Sequence, residues 1–60
     1  MTWADFLKVM ITDERGAIAK YSLALNRADD PQLKSLFQQL LDEEKIHVDI
    51  LEGHIERLSM

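Results

Sequence analysis

The 60-residue sequence has no cysteine, which excludes disulfides and thiolate metal sites and removes any sign of an oxidising compartment. No apolar run approaches the roughly 20 residues of a membrane span. The opening Met1-Thr2-Trp3-Ala4-Asp5 has no basic stretch of the kind that begins a signal peptide, so a cytoplasmic protein is the expectation. Basic residues are the minority: seven Lys and Arg stand against eleven Asp and Glu, a formal charge of −4. That balance argues against nucleic acid and anionic membranes as partners and favours the attraction of cations. There is no internal repeat and no low-complexity segment.

The one proline, Pro31, divides the chain into two helical patterns. The first is predicted from about residue 2 to residue 25, with Thr2 as N-cap and Asp5 in the first turn. Residues 26–30 form a short connection. The second helix is predicted from 31 to about 58. Asp30 caps it, and Pro31 at the first helical position lacks only an N–H that would be unpaired there. A connection this short makes the helices antiparallel neighbours. The fold class expected is all-α: an antiparallel helical hairpin over 1–60, with two chains forming a four-helix bundle. Gly16 interrupts the first pattern at a cost of about 1 kcal/mol relative to Ala, and serves either a close helix approach or a kink.

Apolar spacing indicates what each helix buries. In the first, Leu7, Glu14, Tyr21 and Ala28 fall seven apart, with Ile11, Ile18 and Leu25 between them. In the second, Phe37, Leu40, Glu44, His47, Leu51, His54 and Leu58 alternate steps of three and four, one coiled-coil-like seam. Trp3, Phe6, Val9, Met10, Leu23, Leu36, Leu41, Val48, Ile50 and Ile55 are then more apolar surface than a lone hairpin covers. A chain of this size without disulfides needs metal or association, and the surplus argues for at least a four-helix assembly.

Glu44-Lys45-Ile46-His47 is a Glu-x-x-His motif on the second helix. Three residues apart on a helix is nearly one turn, so Glu44 and His47 project the same way and offer an oxygen and a nitrogen donor. Glu14 sits on the seam of the other helix. Di-metal helical bundles take one Glu from each of two helices and Glu-x-x-His from each of the other two. This chain supplies one of each, and two copies supply the full set. The candidate ligands are therefore Glu14, Glu44 and His47, around two ions shared at a two-fold axis, with iron or manganese suited better than structural zinc. Glu44 is assigned to bridge because it shares a face with His47. The competing reading places Glu14 and Glu44 at the edge of a bundle, paired with Lys or Arg. Tyr21 either donates its hydroxyl to a ligating carboxylate or is a core tyrosine. His54 lies about 10 Å along the axis from His47, too far for the same pair of ions, and is expected to be a buried, hydrogen-bonded or interfacial histidine. Asp13, Asp42 and Glu43 point off the seam, either simply solvated or guiding Fe2+ inward.

Asp13-Glu14, Tyr21, Ala28, Asp30-Pro31-Gln32-Leu33 and Asp42-Glu43-Glu44-Lys45-Ile46-His47 resemble the encapsulated ferritins, two-helix members of the ferritin-like superfamily, with rubrerythrins as wider kin. The likeness runs from about Asp13 to Leu58. It implies a di-iron ferroxidase that oxidises Fe2+ to Fe3+ with dioxygen, with Glu14, Glu44 and His47 in the iron-ligand positions. It implies homodimers that build a ring, a decamer in that family, and an encapsulin shell as a partner. Lys20 stands where the family usually has Trp, and Gly16 where it often has a further acidic residue at a metal entry site. The family's C-terminal targeting tail has no counterpart up to Met60, so encapsulation is open. Two other functions remain in play: a rubrerythrin-like peroxide-scavenging di-iron module, and a metal-free helical oligomerisation element.

Overall fold

The computed structural model describes residues 1–59 and consists of two helices, α1 (Trp3–Arg27) and α2 (Pro31–Leu58). Local chemistry fixes their starts. The Thr2 side chain accepts the Asp5 N–H at 3.1 Å, and the Asp5 carboxylate accepts the Thr2 N–H, a reciprocal capping box. Asp30 accepts the Gln32 N–H at 3.0 Å, and Pro31 holds Asp30 in the extended region. At the far end of α2 the Ser59 hydroxyl donates to the Ile55 carbonyl at 2.9 Å.

α1 runs two residues beyond the expected end at 25. Nothing at Asn26 or Arg27 stops a helix, Arg27 favours the negative end of the helix dipole, and the Ala28 N–H still bonds the Ala24 carbonyl at 2.9 Å. The connection is thus three residues, Ala28-Asp29-Asp30, and the helices are antiparallel neighbours. No Cβ placed at Gly16 would meet an atom within 4 Å, so that glycine serves no close approach within the chain.

The seam of α1 is the expected one. Leu7, Ile11, Glu14, Ile18, Tyr21, Leu25 and Ala28 are all buried or half-buried. The seam of α2 is rotated from the expected one by about one residue. Phe37, Leu41, Glu44, Val48, Leu51 and Ile55 face α1, while His47, His54 and Leu58 are exposed and Leu40 is half-buried at the flank. This corrects the expectation that His47 and His54 lie in the seam, and that Leu41, Val48 and Ile55 are surplus. The physical reason is the cost of burying an unpaired imidazole, which is avoided when aliphatic side chains take the centre and both histidines take the edge.

Among the described residues Ile11, Leu41 and Val48 are the buried ones, and each keeps 6–8% of its surface exposed. The hairpin measures 45 × 16 × 10 Å and has a radius of gyration of 14.0 Å, against about 10 Å for a compact domain of this length. Its accessible surface is 4611 Å², where about 4,000 Å² is usual for a compact monomer of 7.0 kDa. Trp3, Phe6, Val9, Leu23, Leu33, Leu36, Ile46, Ile50 and Leu58 stay exposed. No helix among the described residues is long and apolar enough to cross a membrane.

Candidate metal centre

Midway along the hairpin the two helices bring Glu14, Glu44 and His47 together. One donor atom from each lies within 4.8 Å of the other two. His47 Nδ1 stands 3.6 Å from Glu14 Oε2 and 3.7 Å from Glu44 Oε2. Both separations exceed the hydrogen-bond range, so the three groups face one another without being bonded. Two ligands each about 2.1 Å from one first-row ion lie about 3 Å apart at a right angle and about 4 Å apart when opposite. The two His47 spacings fall in that interval.

The burial of the three is graded. The Glu44 side chain is 18% exposed, Glu14 is 26% exposed and His47 is 52% exposed. Glu44 Oε2 is shut off from solvent and has no hydrogen-bond partner among the described residues. An orphaned carboxylate oxygen costs about 1–3 kcal/mol or more, and cation ligation is one way of offsetting it. The donor set fits a hard or borderline divalent ion: carboxylate oxygens with one imidazole, and no sulfur. Among the described residues no Lys or Arg pairs with Glu14 or Glu44, and the one Arg–carboxylate contact there, Arg15 to Glu52 at 3.1 Å, lies elsewhere.

Tyr21 is placed on the Glu14 face of α1 but is not joined to the cluster. It sits two turns along, half-buried, with the Lys20 Nζ 5.7 Å from its ring centre, and its hydroxyl makes no hydrogen bond among the described residues. His54 is exposed rather than buried, and its Nδ1 accepts from the Arg57 guanidinium at 3.4 Å, which is the hydrogen-bonded alternative among those expected. Asp13, Asp42 and Glu43 are exposed, the last two accepting from Gln38 and Gln39 at 2.9 and 3.0 Å.

The cluster opens into a shallow groove lined by Met10, Glu14, His47, Ile50 and Leu51. Met10 and Ile50 were not among the site residues read from sequence. Their signal was there: Met10 is one turn before Glu14, and Ile50 one turn after His47. A larger groove near the loop end, between Leu25, Lys34, Gln38, Asp42 and Ile46, holds no such convergence of donors.

In comparisons with known proteins, no family model matches the chain, and neither a curated protein nor a solved structure matches it. The resemblance to encapsulated ferritins therefore stands on the motif residues alone.

Proposed function

We propose that two copies of this chain pair through the face that bears the groove, and that their six ligands hold two iron ions whose oxidation from Fe2+ to Fe3+ is the activity. The observation that carries this reading is the buried, unpartnered Glu44 Oε2 beside Glu14 and His47. One chain offers three donors, too few to enclose an ion, and an open groove on the outer side. A second chain related by a two-fold axis brings the same three donors to the same place and covers the groove. The hairpin extends 45 × 16 × 10 Å, so its length and width allow the roughly 800 Å² per partner that a stable dimer needs.

The residues take separate roles in this scheme. His47 supplies a neutral nitrogen donor. Glu44, the deepest of the three, bridges, and Glu14 completes the oxygen-rich shell. Iron is the substrate, and two Fe2+ give two electrons to one O2, which with two protons leaves as hydrogen peroxide. Hard carboxylate oxygens favour the harder Fe3+, so the two glutamates help drive the oxidation. Met10, Ile50 and Leu51 keep the surroundings dry, which strengthens each charge interaction. Ring formation and an encapsulin shell rest on the resemblance alone. The metal-free oligomerisation hairpin is the second reading, favoured by the amount of exposed apolar surface.

The test is iron binding followed by oxidation. The parent chain is expected to bind about one iron per chain, and Glu44→Ala or His47→Ala to bind almost none, because each change removes two ligands from a symmetric site. Glu14→Ala is expected to keep part of the binding and oxidise Fe2+ much more slowly by stopped-flow absorbance. A parent that binds no iron returns the protein to the metal-free reading.

A further inference from the structure

We infer that Met10 is a built-in target of the peroxide released at the iron site, and that its oxidation to the sulfoxide loosens the pairing and shuts the site down. The inference rests on the iron-oxidation reading and names a regulation of that same site.

The groove beside the ligands has one soft side chain. Its lining is Met10, Glu14, His47, Ile50 and Leu51. Glu14 and His47 are committed as ligands in the proposed function. Ile50 and Leu51 are saturated hydrocarbons and offer peroxide no electron pair. Met10 offers a nucleophilic sulfur on a flexible, unbranched side chain, half-buried beside the groove. It stands one turn before Glu14, about 6 Å along α1, so the two project from one flank. Cysteine, which would compete for peroxide, is absent from the chain.

The chemistry follows from what the site releases. Two Fe2+ and two protons reduce one O2 to one H2O2. The Met10 sulfur then attacks one peroxide oxygen, and the O–O bond breaks. That oxygen stays on sulfur as the sulfoxide, and the other leaves as water with both hydrogens. The thioether is oxidised by two electrons and the peroxide is reduced by two. Position favours this step. In the paired state the second copy covers the groove, so peroxide leaves past Met10, and an oxidant held beside its target acts far above its bulk concentration.

Met1 is the opposite case. It is 92% exposed and stands at the far end of α1 from Glu14. Peroxide supplied from solution follows exposure and reaches Met1 first. Peroxide born in the groove reaches Met10 first. The order of the two methionines therefore reports where the oxidant came from.

The sulfoxide has a consequence for assembly. It turns a flexible apolar side chain into a polar one on the face that the second copy covers, where it would be desolvated without a bond. The pairing weakens, each chain is left with three donors, and iron oxidation stops. Methionine sulfoxide reductases reverse the change, so the shut-off is a switch rather than damage.

The test compares where the oxygen goes. The parent is cycled with one Fe2+ per chain under air, with catalase in solution to remove escaped peroxide. Fe3+ formation is followed, and each methionine is read by peptide mass spectrometry for the gain of one oxygen. A second, iron-free sample receives H2O2 alone. Met10 is expected to be oxidised about tenfold more than Met1 during turnover, and less than Met1 by peroxide alone. Fe3+ formation with Met10 no more oxidised than Met1 overturns the inference and leaves the iron site standing. No Fe3+ at all removes the iron reading and this inference together.

A second measurement reads the switch itself. Met10→Gln sets a polar group of similar length at the position and is expected to weaken the dimer about tenfold by sedimentation equilibrium. Met10→Leu has no sulfur, and its dimer is expected to persist through iron cycles that loosen the parent. A Met10→Gln dimer as tight as the parent's, or a parent dimer unchanged after complete Met10 oxidation, overturns the shut-off.

Discussion

The two broad faces of the hairpin obey different rules. One is already complete. Arg15 and Glu52 pair across it at 3.1 Å. The other is unfinished, with Ile50 uncovered beside a groove and a carboxylate oxygen that has no partner among the described residues. Polar groups on the first face are exposed and bonded, whereas on the second an acid is buried and unbonded. The contrast teaches where the proposed pairing and the proposed chemistry would have to meet: on the side whose carboxylate is buried without a bond.

The most severe way to break the contrast is to make the unfinished face polar. Ile50→Glu is expected to raise the dimer dissociation constant by about a hundredfold or more, since association would bury an unpaired charge worth about 3 kcal/mol. Sedimentation equilibrium checks it, and an unchanged dimer would place the interface on the other face.

The next largest effect concerns Glu44, and it has opposite signs with and without iron. Glu44→Leu removes the orphaned oxygen and keeps the volume. Metal-free stability is expected to rise by about 1–3 kcal/mol in urea unfolding, while iron binding disappears. A fall in metal-free stability would show that the carboxylate has a structural partner and that the face is not waiting for a cation.

The smallest effect belongs to the finished face. Arg15→Ala cuts an exposed ion pair and is expected to change stability by less than about 0.5 kcal/mol, with iron content and oligomeric state as in the parent. A change in either would tie the two faces together.

How much of this was legible in the sequence differs by element. Thr2 and the Asp30-Pro31 pair announce both helix starts, because each satisfies or spares specific N–H groups. The end of α1 was read short, since the composition around Asn26 looks like a connection while the backbone has no obstacle until Ala28. The α1 seam was readable because Leu7, Glu14, Tyr21 and Ala28 form one row. The α2 seam was not, and the reason is particular. Apolar residues there come in adjacent pairs, Leu40-Leu41 and Ile50-Leu51, and both histidines have an aliphatic neighbour, Val48 or Ile55. Two rows one residue apart then fit the same three-and-four spacing, and only packing against α1 chooses between them. The three candidate ligands were legible from Glu-x-x-His and a facing Glu. The groove beside them was not, because an opening is a property of two helices and of what neither covers.

The three-residue connection between the helices has a consequence for how the molecule opens and closes. With so short a link, residues meet in order outward from Asp29, so every contact between the helices extends one already made and little new chain entropy is lost at each step. The loop end closes first and opens last. The end bearing Trp3 and Leu58 has no such link between the helices, so it opens more readily. Glu14, Glu44 and His47 stand halfway, at the boundary between a half held shut by its own connection and a half that breathes. An ion gripped there would act as a second clasp, and the breathing half would be left to whatever covers Trp3.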